Sequence, residues 1–425
     1  MRGIRRGRAL IWSTGLVLVL GASFCVRAVS GAARSAQEEL YSQVELLAQA
    51  ITIIQAEYVE EVEPKRLIYG ALRGLVESLD RHSQFLDPDA YSEMQVETRG
   101  QFGGVGLEIT LSKEGVLTVV APIDDTPAAL AGLRPNDKIM KIDGESTRGI
   151  TLHEAVNRLR GRPGTKVTVT VFREEENEIL DLSMVRSTIQ IQSVKEAPTP
   201  APQIAYIRIS EFQDNTPRDL DKVIEAMRQR KAEGLILDLR NNPGGLLDVA
   251  IEVAGRFLPE GKIVVSTRSR VKNQNQEFAS QARNPSLDLP MVVLVNAGSA
   301  SASEIVAGAL RDHGRAILMG SKTFGKGSVQ TVVPLRDGSA IRLTTSIYYT
   351  PSGQAIHGKG LEPDVTVTVE AQEVEKVKER PPPGAAPPEV RDPVVLRAVD
   401  LLRGLKVYQQ KQSAPAAGVD AAPKQ

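Results

Sequence analysis

Residues 291–310 read MVVLVNAGSASASEIVAGAL. A short run of β-branched and aliphatic residues gives way to a turn. Serines follow at alternate positions (Ser299, Ser301 and Ser303), and then an apolar run at helical spacing. A buried strand feeding a helix through a tight turn is α/β architecture, and the helix N-terminus offers unpaired N–H groups and partial positive charge to an oxyanion. Only Ser301 has a glutamate three positions on, Glu304, so the capping-box spacing seats Ser301 at the helix N-cap. The corresponding residues for Ser299 and Ser303 are Ala302 and Val306. At this level Ser301 is either a plain structural cap or a nucleophile.

A nucleophilic serine needs a base, and histidine is scarce: the chain has His82, His153, His313 and His357. His82 and His153 lie far upstream. His313 ends the helix that Ser301 begins, roughly 18 Å away at about 1.5 Å per residue, and is expected to face solvent. His357 sits in the turn GQAIHGKG. The alternative is lysine, in GSKTFGKGSVQTVVPL (320–335), which carries Lys322 and Lys326. Lys326 lies between glycines and at an even separation from Gln330, which predicts a shared strand face. A lysine base must fall from a pKa of about 10.4, and burial can lower it by up to ~3–5 units. A strand lysine is otherwise an ordinary solvated side chain. Cys25 is the only cysteine and no H-E-x-x-H pattern occurs. No metal, no cofactor and no disulfide are therefore expected.

The flanking sequence sets the architecture. From 203, QIAYIRI, LILDLRNNPGG and MVVLVN are strands alternating with helical segments, and a β-rich block follows from 316. Residues 99–185 are self-contained. RGQFGGVGLEITL and GVLTVVAPI predict strands, TLHEAVNRLRG opens with a Thr151–Glu154 capping box, and GTKVTVTVFRE alternates with period two. In this order these elements resemble a PDZ domain. The resemblance implies that the loop Phe102, Gly103, Gly104, Val105 and Gly106 offers N–H groups to a ligand's terminal carboxylate. It implies also that a peptide adds a strand beside Leu107–Leu111, over a pocket lined by Leu107, Ile109 and Leu152.

Lys+Arg 52 balance Asp+Glu 52, which leaves no field to attract nucleic acid. The basic start MRGIRRGR followed by the uncharged run 9–26 resembles a secretory leader, and at roughly 17–25 residues for a span it also suffices as an anchor. Phe24 before Cys25 departs from a lipoprotein signal. Residues 36–94 predict helices, broken at FLDPDAY, that suit either an oligomerisation arm or a core hairpin. RPPPGAAPP (380–388) is a polyproline-like linker before the amphipathic DPVVLRAVDLLRGL and a polar tail expected to be disordered. The expected divisions are a signal or anchor at 1–30, a helical region at 31–97, a PDZ domain at 98–186, a catalytic core at 187–370 and a linker, helix and tail at 371–425.

Taken together, VNAGSASASEIVAGAL, GSKTFGKGSVQTVVPL, YYTPSGQAIHGKGLEPDV, LDRHSQFLDPDAYSEM and LILDLRNNPGGLL resemble the carboxyl-terminal processing proteases, from about residue 40 to 370. The resemblance implies an α/β multidomain protein: a crotonase/ClpP-like ββα core, an inserted PDZ domain and an N-terminal helical arm. It implies that Ser301 is the nucleophile, Lys326 its base and Gln330 the partner of that lysine. The oxyanion hole falls to the N–H groups of Ala302 and Gly245. The expected activity is serine endopeptidase cleavage of proteins recognised by a free, apolar C-terminal tail, on the periplasmic side of the cell envelope. Protein substrates, a homo-oligomer through the terminal helices and a membrane anchor are the expected partners. Arg160, at the end of the PDZ helix, is a candidate gate that senses a bound tail, or simply a charge that complements the helix dipole. The rival readings are a PDZ scaffold without catalysis and a CoA-binding crotonase-type enzyme.

Overall fold

The computed structural model describes residues 38–112, 114–281, 289–367 and 392–413. The leader or anchor 1–30, with Cys25, the linker 380–388 and the tail beyond 413 lie outside these residues. Among the described residues no helix is long and apolar enough to cross a membrane. The chain divides into two compact units, Met1–Phe85 and Leu86–Gln425.

In the first unit a helix covers 38–57 and a second covers Pro64–Glu77. Leu40, Val44, Leu47, Ile51, Ile54 and Tyr58 recur at alternating spacings of four and three, a heptad stripe. Its members Leu40, Val44 and Tyr58 are exposed at 62%, 54% and 56%. In the second helix Tyr69 meets Phe85 edge-on, with ring centroids 4.9 Å apart.

In the second unit, Pro88 starts a helix rather than ending one. Asp87 accepts a hydrogen bond from the Ala90 N–H, and Pro at the first helical turn gives up an N–H that has no partner anyway (Pro88–Arg99). The PDZ part is an antiparallel sheet, ordered Leu107–Leu111, Leu117–Pro122, Lys138–Ile142, Lys166–Arg173, Glu178–Val185. The predicted Thr151–Glu154 capping box is present at the start of its helix, Leu152–Leu159. Inward residues Val167, Val169 and Val171 join Leu117, Val119 and Ile139 in a core separate from that of the catalytic part.

The chain enters and leaves this domain through one two-stranded ribbon. Gln101–Gly104 pairs antiparallel with Ser187–Gln190, Phe102 opposite Ile189 and Gly104 opposite Ser187. Ser187–Gln190, the tether out of the domain, is thus a strand, and three of the five residues of the predicted carboxylate loop lie in its partner.

The catalytic part is built on a six-stranded sheet ordered Val194–Glu196, Ile204–Ile209, Gly234–Asp238, Met291–Val295, Ile317–Gly320, Val365–Thr366. It is parallel from Ile204–Ile209 onward. Alternate residues serve opposite faces, which explains the unbroken apolar strands. Leu235, Leu237, Val293 and Val295 pack under the helices Thr216–Gln229, Leu247–Gly255 and Ala302–Asp312. Ile236, Val292 and Leu294 face the C-terminal helix Pro393–Ser413 through Val395, Ala398, Val399 and Leu402. The β-rich block forms antiparallel pairs: Ile263–Ser269 with Gln276–Ala279, and Ser328–Pro334 with Ala340–Tyr349.

The ribbon tolerates no side chain at Gly103, where a Cβ would lie 2.1 Å from the Gly161 carbonyl oxygen. Gly103→Ala should destabilise the PDZ part by about 1–3 kcal/mol through forced backbone movement. Denaturant unfolding followed in that domain checks it, with Gly115→Ala as a comparison that carries only the strain of its φ of 74° and no clash.

Candidate active site

The three serines have three different fates. Ser299 is fully buried; its hydroxyl donates to the Leu239 carbonyl at 2.7 Å and accepts from the Asn296 N–H at 3.0 Å. Ser303, also fully buried, donates to the Asn242 carbonyl at 2.9 Å. Both hydroxyls bind the serine turn to the LRNNPGG loop. Ser301 is the N-cap of the helix and has φ 54° and ψ −115°. A non-glycine residue held in that region costs of order 1–3 kcal/mol and persists only where the surroundings enforce it, most often at functional sites.

The surroundings that enforce it are close. Gly244, at φ 111°, has no room for a Cβ, which would fall 2.8 Å from Ser301 Cβ and 2.9 Å from the Ala302 nitrogen. Gly245, at φ 141°, presses on Phe212, whose carbonyl oxygen would lie 2.1 Å from a Cβ. The fully buried Asn242 side chain donates to the Ile209 carbonyl and accepts from the Gly244 N–H, both at 2.9 Å. That engages the Gly244 N–H. Among the described residues no acceptor takes the N–H of Gly245 or of Ala302, the first helical residue.

Glu304 joins the two predicted halves of the site. It is fully buried, and its Oε2 accepts the Ser301 N–H at 3.0 Å and the Lys326 N–H at 2.9 Å. Its Oε1 accepts the Gly325 N–H at 2.8 Å and the Thr323 hydroxyl. Burial pushes the Glu304 carboxyl above its usual range, while the Thr323 hydroxyl and the N–H groups of Gly325, Ser301 and Lys326 pull it back.

The structure separates the two lysines. Lys322 is exposed and paired with Glu362 at 2.6 Å. Lys326 is half-buried, and burial lowers its pKa, with the nearby Arg342 charge adding to the effect. Lys326 lies in the loop before the strand Ser328–Pro334, and a bulge at Val329/Gln330 shifts the register, so the predicted common strand face with Gln330 does not exist. The Gln330 amide instead donates to Ser328 Oγ at 2.8 Å and faces Thr344 Oγ1 at 3.5 Å. Among the described residues no hydrogen bond joins Ser301 Oγ to Lys326 Nζ. His313 does not face solvent as expected: its Nε2 lies 2.7 Å from the Ile263 carbonyl oxygen, because the helix end docks on the strand Ile263–Ser269. Among the described residues no cluster of His, Cys, Asp and Glu is arranged to hold a metal.

The PDZ groove, of about 100 Å³, is lined by Leu107, Ile109, Val156 and Leu159, with Phe102 and Arg160 at one end. Leu152 is not part of it; at the first helical position it is 40% exposed, one turn beyond Val156. Phe102, Gly103 and Gly104 belong to the paired ribbon, so the unpaired stretch of the predicted carboxylate loop is Val105 and Gly106. Arg160 is the helix C-cap, and its guanidinium stacks 4.8 Å from the centre of the Phe102 ring.

Sequence reasoning used Glu304 only as a spacing signal, and missed its bond to Lys326 along with the parts played by Asn242 and Gly244. The glutamate was visible in SASE and the loop in NNPGG; their meeting was not.

Known proteins similar to this chain give its family. The model of peptidase family S41 matches residues 203–367, that of a PDZ domain 118–173, and that of the activating protease CtpB N-terminal domain 23–90. A carboxy-terminal-processing protease of Bartonella bacilliformis is 43% identical over 82% of this chain and 80% of its own. The carboxyl-terminal-processing protease of Synechocystis is 37% identical, covering 74% of each chain. Among solved structures, the photosystem II D1 C-terminal processing protease is 30% identical over 76% of this chain and 92% of its own, with a TM-score of 0.44. The fold and site define a serine-type peptidase of family S41 carrying a PDZ domain. Within that class the chain belongs to the carboxy-terminal processing proteases.

Glu304→Gln replaces one acceptor oxygen with a donor facing N–H groups. At about 1–3 kcal/mol for each buried donor left unpaired, it should lower the denaturant midpoint more than Ser299→Ala, which removes a single bonded hydroxyl. Equal midpoints for the two variants would contradict the anchoring role of Glu304.

Proposed function

We propose that Ser301 and Lys326 form the catalytic dyad of an endopeptidase that trims or degrades proteins bearing a free, apolar C-terminal tail. The observation that carries this reading is the shared carboxylate. Glu304 accepts the N–H of both residues, and the half-buried Lys326 amine is shifted toward its neutral form. In this mechanism neutral Lys326 takes the proton of Ser301 Oγ as that oxygen attacks the substrate carbonyl. The N–H groups of Ala302 and Gly245 receive the oxyanion. The lysine then protonates the leaving amine, and the acyl-enzyme is hydrolysed by water with Lys326 again as base. The dyad bond forms only after the amine swings to the serine, and Gln330 orients it once it leaves Ser328. A crotonase/ClpP-like relationship of the core fits the helix-covered parallel sheet.

The PDZ groove suits an apolar tail, whose carboxylate is received by the loop at Val105 and Gly106. Arg160 is positioned to report its arrival on the ribbon through Phe102. The exposed heptad stripe from Leu40 to Tyr58 fits a second copy of this chain, and a basic, apolar leader supports a site of action in the cell envelope on the periplasmic side, secreted or anchored.

Ser301→Ala should lower kcat/KM on an unfolded tailed protein by at least about 10³-fold. Lys326→Arg should be as inactive as Lys326→Ala, because arginine stays protonated. The sign of the pH effect follows from the base role: activity rises with pH as Lys326 loses its proton, through an apparent pKa below the ordinary value of about 10.4. An active Lys326→Arg enzyme would remove lysine as the base.

Tail recognition is tested separately. Substrates identical except for a C-terminal acid or amide should differ, the acid being cleaved with the higher kcat/KM. Equal values would show that the groove does not read the terminus.

A further inference from the structure

The loop that carries Gly245 begins in a buried charge cluster that the dyad does not use. Asp238, the last residue of the strand Gly234–Asp238, is fully buried. It accepts the Tyr206 hydroxyl at 2.7 Å, the Arg240 N–H at 2.9 Å and the Arg240 guanidinium at 3.0 Å (Oδ1) and 2.8 Å (Oδ2). Burial opposes the charge of Arg240, but the hydrogen bonds and charge of Asp238, followed by Asp392 and Tyr206, hold it firmly protonated. The remaining guanidinium nitrogen, Nη1, pairs with Asp392 at 2.8 Å, both side chains being largely buried.

Asp392 comes from the other end of the chain. Its second oxygen accepts the N–H groups of Val394 at 3.0 Å and Val395 at 3.3 Å, so it starts the C-terminal helix Pro393–Ser413. That helix packs on the sheet face opposite the Ser301 helix. One carboxylate therefore caps the helix and fixes the guanidinium from which Asn241, Asn242, Pro243, Gly244 and Gly245 continue. Arg240 has a planar fork satisfied on two sides, and its backbone cannot shift without breaking one of them.

We propose that Asp392 is a positioning residue for the oxyanion loop, so that docking of the C-terminal helix is part of making the peptidase competent. This rests on the assignment of Ser301 and Gly245 above. The helix end carries a built-in comparison, since Lys406 pairs with Glu233 well away from the loop and both are about half exposed. A latch of this kind acts on transition-state geometry, because small misplacement of oxyanion donors affects the chemical step more than ground-state binding.

The test uses the full chain. Asp392→Asn keeps an N-cap of equal quality but removes the charge facing Arg240. It should reduce kcat by about 10–100-fold with KM within about twofold, and speed amide hydrogen exchange in residues 239–246 but not in Gly234–Leu237. Asp392→Glu should recover part of kcat, and Lys406→Ala should change neither quantity. Wild-type kcat and wild-type exchange in Asp392→Asn would overturn the proposal, as would an equal loss in Lys406→Ala, which would mean that the helix only adds stability. Should Ser301→Ala still cleave, the dyad assignment fails, and the exchange of 239–246 in Asp392→Asn alone then upholds or overturns the latch.

Discussion

The site depends on one buried carboxylate. Taking Glu304 out of water costs several kcal/mol, and four donors from two chain segments offset that cost: the Ser301, Gly325 and Lys326 N–H groups and the Thr323 hydroxyl. A carboxyl whose folded pKa is raised stabilises the fold below its unfolded value of about 4.3, and that contribution is lost as pH rises through the folded value. In its ionised form, Glu304 is thus held against a penalty. What it gives in return is geometry, because the serine turn and the lysine loop share an atom, Oε2, and cannot drift apart independently.

Strain at Ser301 is maintained by the same economy of small groups. Its φ of 54° places the residue where Gly244 and Gly245 approach it and Phe212 without side chains. Alanines on either side keep the approach open. The hydroxyls of Ser299 and Ser303 hold the loop from the inside by bonding to Leu239 and Asn242. Alternation of serine and alanine is what this packing requires: two hydroxyls bonded to the loop, the third between them not, and nothing larger beside them.

Much of this is legible in the sequence. The period-two and helical patterns gave the strands and helices around Ser301, and the capping spacing singled it out among three serines. The PDZ capping box was readable for the same reason, since it is a local signal within four residues. Other features were not local. The even spacing of Lys326 and Gln330 predicted a common face, but a bulge breaks the alternation. Leu152 shares a helical face with Val156 and Leu159, yet the groove ends before it. His313 was assigned to solvent because nothing in its own helix says which strand lies under the C-cap. The link between Asp392 and Arg240 joins residues far apart in sequence, and neither type is unusual where it stands.

With the proposed tail recognition, the ribbon at the PDZ boundary would tie recognition to placement. Phe102, Gly103 and Gly104 lead into Val105 and Gly106, the proposed carboxylate loop, and also pair with Ser187–Gln190, so the proposed tail-binding surface and the boundary ribbon share one strand. Arg160 adds a second connection, from the end of the helix that lines the groove to the Phe102 ring. A ligand can shift a hinge only by the difference in its affinity for the two hinge states. A groove placed wholly inside the domain would bind a tail equally well in any domain position and transmit nothing. Here the proposed carboxylate loop and the ribbon are neighbours in one backbone segment, so under the proposed tail recognition a change in ribbon geometry would alter the loop that receives the tail. By reciprocity a bound tail would alter the ribbon to the same extent.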